Sequence, residues 1–174
     1  METLKAIQNR KSTRKFKPDQ ISESDLDTIL KAGCAAPIGL GDHSVLHFTV
    51  VQNPSVLNQI SHEIKSALNM NTNPIYDVPT LVIISSKKSE VLINIEYSDT
   101  ACCAENMILA ATDCGIASIY LWGPTIAVQS STVLQNILSI PDGYQLLASV
   151  GLGYAMNATD NLRELKLKNT VTRI

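Results

Sequence analysis

The sequence predicts an α/β or α+β fold, because segments with helical and with strand-like patterns follow one another along the chain. Helical segments repeat apolar residues at a spacing of three and four, whereas the strand-like segments are β-branched or alternate apolar with polar residues. The chain has 174 residues, of which 45% are hydrophobic, so it can bury a core without disulfides or metals. We find no repeat or linker and expect one domain over residues 1–174.

Capping residues mark the predicted starts of two amphipathic helices. Ser22 can accept a free backbone N–H ahead of a helix whose buried face includes Leu26 and Ile29. Asn53 and Pro54 are typical of a second helix start. The other predicted helices are Thr3–Gln8, Ser98–Cys114, capped by Ser98 or Asp99, and Val128–Leu138. Because Ser98–Cys114 is apolar on most faces, we expect it to be central, with Glu105 facing an arginine, a backbone donor or the subunit interface.

Four segments have strand patterns: Val45–Val51, Thr80–Ser85, Ile116–Trp122 and Gln145–Leu152. The run at Thr80–Ser85 is continuously apolar, which is typical of a central strand buried on both faces. The tail after Tyr154 is polar and cannot bury much surface by itself. If ordered, it should lie on another surface, and the surface of a partner subunit is the plausible one.

Composition and charge exclude several classes of function. The net charge of −2 gives no global field that would attract nucleic acid. The N-terminus lacks the apolar region of a secretory signal, and no apolar run reaches the ~18 residues of a membrane span. A cytoplasmic protein is therefore expected. The four cysteines form no C-x-x-C pair and have no histidine cluster beside them, which favours packing roles over a metal site.

The densest chemical signal is the segment Arg10–Lys17, in which five of eight residues are basic. In an extended chain, alternate side chains share a side, so Arg10, Ser12 and Arg14 would point one way. Lys11, Thr13 and Lys15 would point the other way. Guanidinium and hydroxyl groups together match the oxygens of a phosphate, which makes the first set a candidate anion clamp. A solvated basic face or a targeting patch remains the alternative.

Other constellations are weaker. Gly151 and Gly153 end a strand as a dinucleotide fingerprint would, but Met156 stands where the third glycine is needed. No serine, histidine and acid set lies in a nucleophile-elbow context. His43 lies in a glycine-containing loop and could touch a substrate, since loop residues often carry function.

Several motifs occur in the same order as in one known family. They are Arg10–Phe16 (R-x-S-x-R-x-F), the Ala-Pro loop at Ala35–Pro37, the strand end Phe48–Val51, the D-x-A…A-x-N-x-x-L-A-A helix at Asp99–Ala111, Gly115–Ser118 with Trp122-Gly123, Ile140–Tyr144 and Gly151–Tyr154. Each motif alone is weak, whereas their joint order over nearly the whole chain is fairly specific. The chain resembles the nitroreductase family and would be a short member of it.

The resemblance implies a nitroreductase-like α+β fold, a dimeric three-layer α/β/α arrangement with a mixed, mainly antiparallel central sheet. It implies a homodimer with one FMN per subunit, in clefts made by both chains. The activity would be that of a flavin oxidoreductase, which passes hydride or electrons from NAD(P)H to nitroaromatic, quinone or similar acceptors. The tail over residues 155–174 would pack on the partner subunit.

The resemblance also implies roles for individual residues. Arg10 would pair with the FMN phosphate, helped by Ser12, with Lys11 beside them, and Arg14 would approach the N1/O2 edge of the flavin. The backbone of Pro37, Ile38 and Gly39 would face the pyrimidine side of the ring. Asn71 would contact the flavin, and Trp122 and Gly123 would flank its N5 region. Arg163, with Lys166 or Lys168, would close on the phosphate. No catalytic side chain and no metal ligand is implied.

One departure from the family pattern bears on activity. The family's loop after Ala-Pro commonly reads S-x-x-N-x-Q-P-W, whereas this chain has I-G-L-G-D-H-S-V at positions 38–45. Two glycines allow close approach of the backbone to a ring, so flavin binding can rest on main-chain contacts. A non-catalytic flavin- or nucleotide-binding module therefore stays an alternative, as does a protein that binds a phosphate ligand without flavin.

Overall fold

A computed structural model describes residues 2–157 and 162–174, apart from the side chains of residues 129 and 130. The helices are α1 (Thr3–Asn9), α2 (Glu23–Cys34), α3 (Pro54–Ala67), α4 (Ile95–Asp113), α5 (Gly123–Ser130) and α6 (Thr132–Ile137), with short 3-10 turns at Gly39–Gly41 and His43–Val45. The strands are β1 (Leu46–Val51), β2 (Thr80–Lys87), β3 (Ala117–Tyr120) and β4 (Tyr144–Gly153). Within these ranges, no helix is both long and apolar enough to cross a bilayer.

The four strands form one sheet in the order β1-β2-β4-β3. Each neighbouring pair is antiparallel, and β2 and β4 occupy the centre. A parallel bridge between Ser12 and Ser118 adds the N-terminal segment beside β3. The buried run predicted as a central strand is β2, where seven of the eight residues are buried. The predicted α+β class and mainly antiparallel sheet are confirmed.

Helices cover both faces of the sheet, which confirms the predicted three layers. Successive side chains of a strand point to opposite faces, so Leu81 and Ile83 of β2 enter one core and Val82 and Ile84 enter the other. The first core is completed by apolar residues of α3, α5 and α6. The second core is completed by α2 and α4, which pack against each other and on the sheet.

The two predicted capping residues behave as expected. The Ser22 side chain accepts the Asp25 N–H at 3.1 Å, and α2 begins at the next residue. The Asn53 side chain accepts the Ser55 N–H at 2.9 Å ahead of α3, whose first residue is Pro54. Both helices therefore start where a side chain satisfies a backbone donor that the helix itself leaves free.

Two predicted helix boundaries were wrong. The central helix α4 begins at Ile95 rather than Ser98, and the preceding Asn94 adopts a left-handed conformation with φ of 61° and no side-chain cap. The predicted helix Val128–Leu138 is instead split between α5 and α6. Ser131 breaks it with an extended backbone, and its hydroxyl accepts the Leu134 N–H to start α6.

The Glu105 side chain is exposed on the single chain, so it faces no buried partner there, and its predicted place at a subunit interface stays a prediction. The buried acidic residues of α4 are instead Glu96 and Asp99, which are 3% and 5% exposed. A helix that is apolar on most faces does not reveal from its pattern which face meets solvent.

The C-terminal tail begins by pairing with its own chain. Ala155 forms an antiparallel bridge with Phe16, and the Met156 N–H donates to the Lys15 carbonyl at 3.0 Å. Residues 162–174 form no helix or strand, and their side chains are exposed. These include apolar ones: Leu162 is 53% exposed and Leu167 is 77% exposed.

Candidate functional site

The basic N-terminal segment runs beside the sheet in an extended conformation. The Thr13 N–H donates to the Ser118 carbonyl at 2.9 Å, which attaches the segment to β3. The Lys17 N–H donates to the Tyr154 carbonyl at 2.8 Å, just beyond the end of β4. Between these points Phe16 is buried in the core. The segment is therefore held by main-chain hydrogen bonds and one apolar anchor, and this fixes the direction of its side chains.

For Lys11, Thr13 and Arg14, the predicted alternation of side chains agrees with the structure. Lys11, Thr13 and Lys17 line a pocket of about 360 Å³ together with Thr112 and Gly115 at the C-terminal end of α4. On the other side, the Arg14 guanidinium carbon lies 5.9 Å from the centre of the Tyr76 ring. At this distance the guanidinium is in cation–π range of the ring. Arg14 therefore faces the loop between α3 and β2 and not the lysine pocket.

That loop, residues 69–77, is fixed by Asn73. The Asn73 Oδ1 atom accepts the Ile75 N–H at 3.0 Å and the Ser61 hydroxyl at 2.8 Å, and its amide donates to Asp77. Tyr76 and Asp77 have positive φ values of 55° and 54°. Two successive non-glycine residues in this region are strained, and such strain persists only where the surroundings enforce it. The loop presents Tyr76 to Arg14, while Asn71 is exposed in its first half.

The start of α5 lies against the same loop. A Cβ placed on Gly123 would be 3.6 Å from Ile64 of α3 and 4.0 Å from Pro74. Trp122, the residue before α5, is 49% exposed, an open aromatic surface next to the helix start. The N-terminal end of a helix carries partial positive charge. Arg14 and the start of α5 therefore flank one loop and both favour negative charge nearby.

The tail contacts the end of α1. The Arg163 guanidinium donates to the Ile7 carbonyl at 3.1 Å, and the Arg163 N–H donates to the Gln8 carbonyl at 3.1 Å. Arg10 directly follows α1 and caps it through its own N–H. Arg163 is thus placed close in the fold to the start of the basic segment. The Lys166 ammonium pairs with Glu164 at 2.8 Å, and both side chains are largely exposed.

The loop Pro37–Gly39 lies elsewhere, against the first turns of α4. The Gly39 N–H donates to the Asp99 Oδ1 atom at 2.9 Å. A Cβ at Gly39 would be 2.6 Å from the Ile95 Cγ1 atom, so no larger residue fits there. Leu40 follows with a positive φ of 60°. This part of the predicted site is formed mainly by backbone.

A single chain does not bring the two parts of the predicted site together. The basic segment is next to Thr112 near the end of α4, whereas Gly39 touches Asp99 near its start. With about 1.5 Å of rise per residue, these two positions on α4 are about 20 Å apart along the helix.

The cysteines are consistent with packing roles. Cys103 is fully buried between α2 and α4, and burial raises the pKa of its thiol to about 11. A thiol with such a pKa stays protonated at neutral pH and is a poor nucleophile. Among the described residues, Cys34 is the exposed thiol.

Comparison with known proteins gives the family. The family model described as "Nitroreductase family" matches residues 7–154, from the end of α1 to the residue after β4. The chain belongs to the nitroreductase family. The matched range contains the basic segment, the Pro37–Gly39 loop, the loop 69–77 and the start of α5, but excludes Arg163 and Lys166 in the tail.

Individual relatives agree with this membership. A solved structure of a nitroreductase with bound FMN from Bacteroides fragilis superposes with a TM-score of 0.87 at 30% identity, covering 100% of this chain and 99% of that one. A protein of Archaeoglobus fulgidus, provisionally named NADH dehydrogenase/NAD(P)H nitroreductase, is 30% identical over 159 residues, or 91% of this chain and 88% of its own length. A nitroreductase structure from Desulfitobacterium hafniense shares the fold with a TM-score of 0.84 at 24% identity.

Sequence reasoning missed two contacts near the candidate site. Asp99 was interpreted as a helix cap, although its carboxylate accepts the Gly39 N–H. The contact of the Tyr76 ring with Arg14 was not predicted, and Tyr76 also packs against the core. The family motif did contain Asp99, so a signal existed. The positive φ of Tyr76 leaves no trace in the sequence, because non-glycine residues rarely adopt it.

Proposed function

We propose that this chain is an FMN-dependent oxidoreductase that uses NAD(P)H and reduces small electrophilic acceptors such as nitroaromatics and quinones. One observation supports the proposal: in a nitroreductase fold, Lys11, Thr13 and Lys17 of the extended N-terminal segment line one pocket, while Arg14 faces Tyr76 instead. The relative from Bacteroides fragilis, which has the same fold and 30% identity, binds FMN. When bound, FMN would supply the redox chemistry, accepting reducing equivalents from the nucleotide and passing them to the acceptor.

The residues present fit the phosphate end of FMN. Strand alternation would put Arg10 and Ser12 on one side of the extended segment, and Arg163 reaches the end of α1 directly before Arg10. Guanidinium forks and hydroxyls are suited to phosphate oxygens. We propose that Arg10, Ser12 and Arg163 bind the phosphate, with Lys11 next to them and Lys166 or Lys168 approaching when the tail is docked.

The residues present also fit the ring. Arg14 lies over Tyr76, and the start of α5 at Gly123 contacts the same loop. Positive charge at this place stabilises a ring that gains negative charge on reduction. We propose that Arg14 binds the N1/O2 edge, that Asn71 contacts the ring from the loop, and that Trp122 and Gly123 flank N5. The backbone of Pro37, Ile38 and Gly39 would close the pyrimidine side.

The site requires a homodimer in this proposal. The basic segment and the Pro37–Gly39 loop are about 20 Å apart along α4, so one cleft would combine the segment of one chain with the loop of another. The exposed tail, with apolar Leu162 and Leu167, would cover the partner subunit. Light scattering of the FMN-bound protein should give the mass of two chains, and a stable FMN-bound monomer would contradict this part.

The first experiment is an absorbance spectrum of the purified protein, followed by titration with FMN. We expect a yellow protein, or a colourless one that binds FMN with quenching of flavin fluorescence. Steady oxidation of NADH or NADPH in the presence of a quinone or nitro compound should follow. A protein that neither contains nor takes up FMN would overturn the proposal. FMN binding without turnover over a broad set of acceptors would favour the non-catalytic module, the alternative suggested by the altered Ala-Pro loop.

A further inference from the structure

Asp99 connects α4 to the Pro37–Gly39 loop. Its side chain is 5% exposed, and its Oδ1 atom accepts the Gly39 N–H at 2.9 Å. A buried carboxylate is costly unless a hydrogen bond compensates for the lost water. Breaking this contact would therefore be unfavourable. The bond joins residues 60 positions apart in the chain. It is therefore a tertiary restraint on the loop.

Gly39 provides the second half of this restraint. A Cβ at this position would lie 2.6 Å from the Ile95 Cγ1 atom and 3.5 Å from the Asp99 Oδ2 atom. The Gly39 backbone is not in the left-handed region, so glycine is needed here for space and not for conformation. The loop backbone thus sits directly on the first turns of α4, where a hydrogen bond and a close steric fit determine its position.

Ligand binding by this loop depends on the position of its backbone more than binding by a loop with polar side chains would. Ile38 and Leu40 offer no hydrogen-bond donors from their side chains, so contacts to a ligand must come from the main chain. Main-chain contacts cannot adjust through a rotamer change when the loop moves. A misplacement of about 1 Å in a site can lower a rate by roughly a hundredfold.

We propose that Asp99 is a positioning residue for the flavin site: it fixes the Pro37–Gly39 backbone so that the loop presents its main-chain groups to the ring. The inference rests on the proposed function in one respect, that the loop faces FMN. Asp99 does not touch the cofactor and acts through Gly39. The chemistry supplied by Arg10 and Arg14 does not depend on it.

The test compares Asp99→Ala with Asp99→Asn. The asparagine variant keeps an oxygen that can accept the Gly39 N–H, whereas the alanine variant leaves this N–H without its partner. We expect FMN binding to weaken at least about tenfold in Asp99→Ala, which is the effect of one hydrogen bond to a charged group. In Asp99→Asn it should stay within about threefold of wild type. Asp27→Ala, at an exposed carboxylate of α2, is the matched control and should bind FMN like wild type.

Amide hydrogen exchange of residues 37–41 in the cofactor-free protein separates positioning from a general loss of stability. Exchange in this loop should accelerate in Asp99→Ala, while β2 keeps its protection and Asp99→Asn behaves like wild type. Equal acceleration over the whole chain would overturn the positioning role, because it would indicate global destabilisation.

A second pair of variants tests the steric restraint without touching Asp99. Gly39→Ala should weaken FMN binding, because its Cβ would collide with Ile95. Adding Ile95→Ala removes the colliding atom and should restore binding to within about threefold of the Ile95→Ala variant. Failure of this rescue would contradict the proposed seating of the loop.

The possible failures are distinguishable. If wild type binds no FMN, the proposed function is wrong, and the exchange experiment alone decides whether Asp99 fixes the loop. If wild type binds FMN and Asp99→Ala binds it equally well, the function stands and this inference is overturned.

Discussion

The N-terminal segment and the Pro37–Gly39 loop contribute to the proposed cleft by different means. The segment is attached through its backbone and uses its side chains: the Thr13 N–H binds Ser118, while Arg14 projects over Tyr76. The loop is attached to Asp99 through its Gly39 N–H, and its neighbouring side chains are apolar. In the segment, the proposed contacts depend on the types of the side chains. In the loop, they depend on where α4 holds the backbone.

This difference predicts how the two regions respond to mutation. Side-chain truncation in the segment should remove binding groups directly. Side-chain truncation in the loop should matter little, unless it changes how the backbone rests on α4. The following predictions, from the largest effect to the smallest, test that contrast.

Replacing Arg10 or Arg14 by alanine should give the largest loss. A charged hydrogen bond contributes about 1.5–3 kcal/mol, so the Kd for FMN should rise about 10–150-fold in either variant. Fluorescence titration measures this directly. Lys17→Ala is the control, because Lys17 belongs to the same segment but lines the opposite pocket. Equal effects of Lys17→Ala and the arginine variants would mean that the segment acts only through its net charge.

Alkaline pH should weaken the packing of α4 against α2, the helix that leads into the loop. Burial raises the pKa of the Cys103 thiol from its ordinary value of 9.0 to about 11. The unfolded chain therefore releases this proton at lower pH than the folded chain. The contribution of the protonated Cys103 thiol to the free energy of unfolding is fully present below pH 9. It is lost as the pH rises towards 11, by at most about 1.4 kcal/mol per pH unit.

Urea unfolding of the cofactor-free protein between pH 8 and pH 11 checks this. Cys103→Ala should lose stability less steeply than wild type over this range. Burial also raises the pKa values of Cys114 and Tyr120, so part of the slope should remain in the variant. Parallel curves for the two proteins would show that Cys103 makes no such contribution.

Leu40→Gly should stabilise the protein slightly without impairing the site. Leu40 has a φ of 60° and is 74% exposed, so its side chain gains little from burial. A left-handed conformation costs a non-glycine residue about 1–2 kcal/mol, and the greater flexibility of glycine in the unfolded chain offsets about half of this. We expect the free energy of unfolding to rise by about 0.5–1 kcal/mol, with unchanged FMN affinity. A large loss of affinity would show that the loop acts through this side chain.

Among the variants expected to weaken binding, Tyr76→Leu should have the smallest effect. A cation–π contact at a partly exposed site contributes about 0.5–1 kcal/mol, so FMN affinity should fall about two- to fivefold. Tyr76→Phe keeps the aromatic ring and should behave like wild type in the same titration. If the phenylalanine variant is as weak as the leucine variant, the phenol matters and the ring contact with Arg14 does not.

Sequence reasoning succeeded where a residue type has one dominant structural use. Ser22 was predicted as a cap because its short polar side chain can satisfy a free helix donor, and Asn53-Pro54 was predicted as a helix start; both helices begin there, and both side chains accept a backbone N–H. The alternation of Arg14 and Lys11 followed from strand geometry alone, and the structure agrees with it. The apolar run of β2 predicted a central strand for the same reason.

Sequence reasoning failed where tertiary contacts decide which of several local structural roles a residue takes. Asp99 looks like a cap, since aspartate is favoured there, but Asn94 starts the helix from a left-handed backbone instead. The buried position of Asp99 and the exposed one of Glu105 depend on which face of α4 meets the Gly39 loop. The separation of the basic segment from that loop likewise follows from the length of α4 and its place in the fold.

The distance along α4 between the basic segment and the Pro37–Gly39 loop predicts that two different mutant subunits can complement each other in a mixed dimer. Each cleft would combine the arginine side of one subunit with the loop side of the other. A mixed dimer of one subunit disabled at Arg10 and Arg14 and another disabled at Gly39 would therefore concentrate both defects in one cleft and leave its twin intact. Two inactive homodimers, unfolded together and refolded as a mixture, should regain activity by complementation, with half of the clefts working in every hybrid.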